Sequence, residues 1–155
     1  MRTFTKKAYL KTTGYDKNIL FAEDIDLVLK IEEVSKLYFI DKPLYYYRIL
    51  PKSQTHSFKN TQINRSSTAL AKLNAYKRRL NTKILNLEKY EISAVLFFGI
   101  INALLAKRFN LVLKFIMEIL KIEQFFLFDL KFYQQLIMKI KKIIKLKKQK
   151  PFLSI

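Results

Sequence analysis

A helix with an acidic start is predicted by the stretch Phe21-Ala22-Glu23-Asp24-Ile25-Asp26-Leu27-Val28-Leu29-Lys30-Ile31. Apolar residues recur through it at helical spacing, so one side of the helix is expected to be buried. Glu23, Asp24 and Asp26 crowd the first turn, where acidic side chains stabilise a helix dipole by about 0.3–1 kcal/mol each. Three carboxylates in four residues are also typical of sites that need a general base or hold a cation. Both interpretations remain open from these residues alone.

A tight turn is predicted just before this helix, in the stretch Lys7-Ala8-Tyr9-Leu10-Lys11-Thr12-Thr13-Gly14-Tyr15-Asp16. Gly14 is one of only two glycines in the chain. Because glycine reaches positive φ without a steric penalty, we expect Gly14 to hold such a turn.

Two short strands are predicted after the acidic helix, at residues 37–40 and 44–49. Asp41-Lys42-Pro43 separates them, and Pro43 suits a strand start or edge because it has no backbone N–H. Arg48 follows three tyrosines, and its guanidinium suits either a phosphate or carboxylate ligand or a solvated strand edge. His56 is the only histidine and the chain has no cysteine, so no Cys-based zinc site or disulfide can form.

Helical patterns dominate from about residue 58 onwards. They cover residues 60–82, 86–106, 108–122 and 130–148, with Asn86 and Asn110 as expected caps or breaks. The charge is also uneven: up to residue 60 there are eleven Lys and Arg against seven Asp and Glu, and from residue 61 there are nineteen against five. We therefore place a boundary between residues 1–57, the α/β portion, and residues 58–155, a basic helical extension.

Two segments of the basic helical extension could contact a membrane. The apolar stretch Ile92–Ala106 has 15 residues, short of the roughly 20 that span a bilayer, and favours a buried or interfacial helix. The stretch Lys139–Lys150 holds seven lysines in twelve residues, interleaved with aliphatic side chains. Such a basic amphipathic segment suits an anionic membrane surface, and a solvated basic tail is the alternative.

The first part of the chain resembles the acceptor-side part of family 2 glycosyltransferases, which have the GT-A fold. The resemblance covers about residues 4–57 and rests on motifs in order: the Gly14-Tyr15-Asp16 turn, the acidic group at Glu23–Asp26, and the Tyr47-Arg48 segment with Ser53 and His56 downstream. It implies an α+β fold, namely a truncated GT-A-like α/β portion followed by a mostly helical region. The nucleotide-binding strand and loop that open such enzymes, and their Asp-x-Asp metal motif, have no counterpart here.

The resemblance also implies roles for individual residues. Asp24 would be the general base that deprotonates the acceptor hydroxyl, with Glu23 beside it. Asp26, Tyr47, Arg48 and Ser53 would contact the acceptor or the donor diphosphate, and His56 would lie near the metal. The complete enzyme would use Mg²⁺ or Mn²⁺, whereas we expect no cofactor for the isolated chain.

The function implied is inverting transfer of a sugar from a nucleotide-sugar to a cell-surface polysaccharide or lipopolysaccharide acceptor. The expected partners are the nucleotide-sugar, a glycan or lipid-linked acceptor, a separate donor-binding chain and an anionic membrane surface. We expect a cytoplasmic location, peripheral on the inner face of the membrane, and no transfer by the chain alone. The alternative is a non-enzymatic basic helical module that binds a membrane surface or nucleic acid. Nucleic acid is disfavoured because the acidic group suits a phosphate-binding face poorly.

Overall fold

The structure is a computed structural model that describes residues 3–38, 40–43, 46, 57–82, 84, 86–123 and 133–134. Five helices occur in these residues. They are α1 Lys6–Leu10, α2 Glu23–Val34, α3 Phe58–Arg79, α4 Lys89–Leu105 and α5 Phe109–Ile122. Helix α2 begins at Glu23, as the acidic stretch predicts. Helices α3, α4 and α5 confirm three of the four helices predicted after residue 58, with ends shifted by up to three residues. The fourth, residues 130–148, lies almost wholly outside the described residues.

The predicted α+β fold is wrong, because no strand or sheet occurs among the described residues. In the first predicted strand, Leu37, Tyr38 and Ile40 are irregular and have 51%, 84% and 61% of their surface exposed. A strand needs a hydrogen-bonded neighbour and a buried face, and these side chains have no buried face. Most of the second predicted strand, residues 44–49, lies outside the described residues, and its described member Tyr46 is irregular and fully exposed.

Local hydrogen bonds fix the ends of the helices. The Ser57 hydroxyl accepts from the Asn60 amide at 3.0 Å, which caps the start of α3. The Glu91 carboxylate accepts from the Glu88 amide at 2.9 Å at the start of α4. Asn86 lies in the break between α3 and α4, as predicted, whereas Asn110 lies inside α5 and does not cap it.

The turn between α4 and α5 closes with a left-handed residue. Lys107 has a φ of 57°, and its amide donates to the Leu104 carbonyl at 3.0 Å. The next amide, of Arg108, donates to the Ala103 carbonyl at 2.8 Å. These two bonds are the Schellman pattern that ends many helices, although the left-handed position usually holds glycine. The turn therefore lets α5 fold back against α4.

Helices α3, α4 and α5 come into close contact at Gly99 of α4. A Cβ atom placed there would lie 2.8 Å from the Ala69 Cβ of α3 and 3.0 Å from the Phe115 ring of α5. Glycine is therefore needed for the close approach of the backbones. The surrounding core includes the fully buried side chains of Leu73, Leu96 and Phe115. None of the described helices combines the length and the hydrophobicity that crossing a membrane requires.

Candidate functional site

The predicted turn at Gly14 is confirmed. Gly14 has a φ of 67°, in the left-handed region that favours glycine. Its amide donates to the Thr12 hydroxyl at 3.1 Å, and a Cβ atom at this position would lie 3.1 Å from the Tyr9 hydroxyl. The Asp16 carboxylate then accepts from the Asn18 amide at 2.9 Å, which extends the turn towards α2.

The three acidic residues at the start of α2 have different surroundings. Glu23 and Asp24 are exposed in the first turn. Asp26 is fully buried and lies with Leu27 and Ile31 on the side of α2 that faces the protein. The carboxylates therefore do not converge on one point, and only Glu23 and Asp24 can meet a ligand from solvent.

Lys30 joins the Gly14 turn to the acidic helix. Its ammonium lies 2.7 Å from the Asp26 carboxylate, one helical turn earlier, and donates to the Gly14 carbonyl at 2.8 Å. The side chains of Lys30 and Asp26 are only 9% and 1% exposed. Because a buried charge is costly unless it is paired, each of these two side chains requires the other. The contact fixes the position of the turn relative to the start of α2.

An ion-pair network holds α2 against the end of α3. Arg78 binds the Glu33 carboxylate with two nitrogens, at 2.7 and 2.9 Å, and approaches Asp26 at 3.9 Å. Arg79, with only 9% of its side chain exposed, binds Glu32 at 2.8 Å and also donates to the Leu29 carbonyl at 3.0 Å. Fork-shaped guanidinium contacts of this kind are directional, so they orient the two helices.

A groove with a mixed polar and apolar lining runs along α3 next to the start of α2. At one end, Phe21, Asn60, Thr61, Asn64 and Arg65 line a recess of about 230 Å³. At the other end, a cleft of about 330 Å³ between α3 and α4 is lined by Arg65, Thr68, Lys72, Phe98, Asn102 and their apolar neighbours. Arg65 lines both, and we call the two together the α3 groove.

Phe21 connects the groove to the acidic helix. The Asn64 side-chain amide donates to the Phe21 carbonyl. Phe21 has a φ of 60°, an uncommon conformation for a bulky residue, and it directly precedes Ala22, the residue that caps α2. Backbone strain of this kind costs about 1–3 kcal/mol and is often found at functional sites. Asn64 therefore holds the segment that leads from the recess into the start of α2.

A half-buried arginine lies where α3 meets the α4–α5 turn. One terminal nitrogen of Arg108 donates to the hydroxyls of Ser66 and Ser67, at 3.0 and 2.7 Å, and to the Ile63 carbonyl at 3.4 Å. Burial lowers the pKa of Arg108 below its ordinary value because the charged form loses hydration. No carboxylate within the described ranges pairs with this cation. Its hydrogen bonds hold the α4–α5 turn on α3.

The remaining predicted site residues cannot be placed. Tyr47, Arg48, Ser53 and His56 lie outside the described residues. Within the residues that the structure does describe, no three His, Asp or Glu side chains come together as a metal site would require. The described carboxylates do not fit the expected Mg²⁺ or Mn²⁺ either, because Asp26 is turned away from Glu23 and Asp24 and binds Lys30.

Sequence reasoning missed two parts of this site. The pairing of Asp26 with Lys30 had a signal, since an acid four residues before a base is a common helical pair. The α3 groove had none, because its residues are ordinary polar side chains until α2 and α4 pack beside them. Comparisons with protein-family models, with curated proteins and with solved structures found no match to this chain.

Proposed function

We propose that this chain is the acceptor-side part of an inverting glycosyltransferase that transfers a sugar from a nucleotide-sugar to a cell-surface polysaccharide or lipopolysaccharide acceptor. One observation carries the proposal. Lys30 connects the Gly14-Tyr15-Asp16 turn to the acidic helix, at 2.8 Å to the Gly14 carbonyl and 2.7 Å to the Asp26 carboxylate. Two of the three motifs on which the resemblance rests thus form a single unit, with Glu23 and Asp24 exposed on it.

The roles of the acidic residues follow from their surroundings. Asp24 is exposed at the start of α2, so its carboxylate is accessible to an acceptor hydroxyl. A carboxylate within hydrogen-bond reach of such a hydroxyl can take its proton as the oxygen attacks the anomeric carbon and the nucleoside diphosphate leaves. Glu23 lies beside Asp24 and would bind the acceptor. Asp26 is structural, because it is buried and paired.

The α3 groove is where the acceptor would lie. Its amide, hydroxyl and guanidinium groups on Asn60, Thr61, Asn64 and Arg65 suit the many hydroxyls of a sugar. Phe21 adds an apolar surface, and mixed polar and aromatic linings are typical of small-ligand sites. A separate donor-binding chain would hold the nucleotide-sugar, and a divalent metal bound there would stabilise the departing diphosphate.

The proposed location is the cytoplasmic side of the membrane, at its inner face. The support is the lysine-rich stretch Lys139–Lys150 together with the net charge of +18. Basic residues near an anionic leaflet each contribute about 1 kcal/mol to binding. A lipid-linked acceptor would be within reach at such a surface.

The proposal is tested with Asp24→Asn. The full chain, together with its donor-binding chain, is assayed for sugar transfer to a cell-envelope acceptor extract. We expect turnover to fall by about 100-fold, the scale of a lost general base, while folding is unchanged because Asp24 is exposed. Asp41→Asn is the matched control, since Asp41 is also an exposed aspartate but lies outside the site. Equal turnover in both variants would refute the role of Asp24.

A second candidate function is a non-enzymatic helical module that binds membrane surfaces. It is favoured by the exposed apolar side of α5, where Leu113 is 65% and Phe109 is 62% exposed. Asp24→Asn separates the two candidates. A glycosyltransferase would lose activity in this variant, whereas a membrane-binding module would be unaffected by it.

A further inference from the structure

A broad apolar surface remains uncovered on the last two helices. On α5 it consists of Phe109, Leu113, Ile116, Met117 and Leu120, which are 40–65% exposed. The end of α4 adds Ile101, Leu104 and Leu105, which are 42–53% exposed. We call these eight side chains the α4–α5 apolar face. Large contiguous apolar patches on a protein surface mark interaction sites.

Core packing does not account for this face. Val112, Phe115 and Ile119 form the buried side of α5 and pack against the core. At about 100° per residue, the exposed apolar residues of α5 span an arc of roughly 100° on the other side of the helix. Helix α5 therefore has two apolar sides, and only one of them is used by the fold.

Lysines border the exposed side. Lys114 and Lys121 lie about 40–60° beyond the apolar arc on the same helix, and Lys107 lies in the turn that precedes it. All three are exposed. Glu118, the acid of α5, is buried and binds Lys77 at 2.7 Å and Lys121 at 3.9 Å. The border of the α4–α5 apolar face is thus positively charged.

We propose that the α4–α5 apolar face docks on an anionic lipid surface, with α5 lying in the plane of the interface. The apolar side chains would enter the boundary between headgroups and acyl chains, and the lysines would meet lipid phosphates. Anionic lipid neutralises the lysines, whereas a second copy of this chain would bring like charges together. The inference rests on the proposed peripheral location and assigns membrane contact to residues other than Lys139–Lys150.

The first test compares two triple variants of the full chain in vesicle flotation. Leu113→Gln, Met117→Gln and Leu120→Gln together remove part of the face. Leu10→Gln, Leu37→Gln and Leu80→Gln together change exposed leucines elsewhere, which are 51–68% exposed. With vesicles of equal parts phosphatidylcholine and phosphatidylglycerol, we expect the face variant to bind at least about tenfold more weakly and the control variant to bind like the wild type.

The second test leaves most of the apolar side chains in place and measures whether the α4–α5 apolar face enters the lipid. The chain has no cysteine, so a single Leu113→Cys can carry an environment-sensitive fluorophore, and Leu10→Cys serves as its control. We expect a blue shift on anionic vesicles at position 113 only. The shift should persist when Lys141, Lys142 and Lys145 are changed to Gln, because none of these lysines belongs to the α4–α5 apolar face or its border.

Three results would overturn the proposal: equal binding by both triple variants, an unshifted label at position 113, or a wild-type dimer in sedimentation that the face variant abolishes without losing vesicle binding. Neither test measures sugar transfer. A failed Asp24→Asn experiment therefore counts against the proposed function alone.

Discussion

Asp26 and Lys30 form a buried ion pair across one turn of α2, with 2.7 Å between the carboxylate and the ammonium. Neither carboxylate oxygen of Asp26 has a hydrogen bond of good geometry, so the charge of Lys30 and the more distant Arg78 are its electrostatic compensation. This pairing distinguishes Asp26, which is buried, from Glu23 and Asp24, which are exposed. Asp26 therefore has a structural role in α2, whereas Glu23 and Asp24 remain on the surface.

Breaking this pair should destabilise the protein strongly. Asp26→Asn leaves the Lys30 charge buried without its partner, and we expect the free energy of unfolding in urea to fall by about 3–5 kcal/mol. Asp24→Asn, at an exposed position, should change it by less than about 0.5 kcal/mol. The double change Asp26→Leu with Lys30→Met should recover most of the loss, because no unpaired charge remains. Equal effects of Asp24→Asn and Asp26→Asn would contradict this interpretation.

Gly14→Ala should destabilise the turn that Lys30 holds. Alanine at a φ of 67° costs about 1–2 kcal/mol, and its Cβ atom would lie 3.1 Å from the Tyr9 hydroxyl. Chemical denaturation measures the loss. A second change, Tyr9→Phe, removes the hydroxyl but not the backbone strain, so the double variant should recover only a small part of the loss. Full recovery would show that contact with Tyr9, and not φ, requires glycine at this position.

The parts of the fold that could be predicted are those that depend on local pattern. The apolar periodicity of α3, α4 and α5 and the acids at the start of α2 gave helices at the right places. The strand prediction at 37–40 failed because a short apolar run is compatible with an exposed irregular segment, and only a neighbouring strand decides between the two. Local pattern did not show that Asp26 and Lys30 lie on the buried side of α2, together with Leu27 and Ile31.

Less of the candidate site could be predicted from the sequence, because several of its contacts join residues that are far apart in the chain. Asp24 and Gly14 carry local signals, since one opens a helix and the other occupies a turn. Arg108 donates to Ser66 and Ser67, more than 40 positions earlier in the chain, and nothing local indicates that contact. The same holds for Arg65, whose role in the α3 groove depends on the packing of α2 and α4 against α3.

Lys107→Gly should stabilise the protein. Lys107 has a φ of 57° in the Schellman turn after α4, a conformation that costs a residue with a Cβ atom about 1 kcal/mol. Glycine removes this cost but increases the entropy of the unfolded chain, so we expect a net gain of about 0.5 kcal/mol in the free energy of unfolding. Lys107→Ala removes the same side chain yet keeps the Cβ atom, and should give no gain. Equal stabilisation by both would assign the effect to the lost charge.

Arg108 should stabilise the α4–α5 turn without making stability depend on pH near neutrality. Its hydrogen bonds to Ser66 and Ser67 involve a charged donor, so Arg108→Ala should lower the free energy of unfolding by about 1.5–3 kcal/mol. Exposed Lys114→Ala is the control and should change it by less than about 0.5 kcal/mol.

The sign of the pH effect of Arg108 follows from its lowered pKa. Burial lowers the pKa of Arg108 in the folded state, so the unfolded chain binds more protons only at strongly alkaline pH, just below the ordinary arginine pKa. Arg108 therefore makes stability rise with pH only in that alkaline range. Between pH 6 and 9 it is protonated in both states, and the loss caused by Arg108→Ala should be constant in urea titrations across this range. A loss of stability that varies between pH 6 and 9 would mean that another titrating group interacts with Arg108. The hydrogen bonds of Arg108 to Ser66 and Ser67 would then not explain the effect of Arg108→Ala.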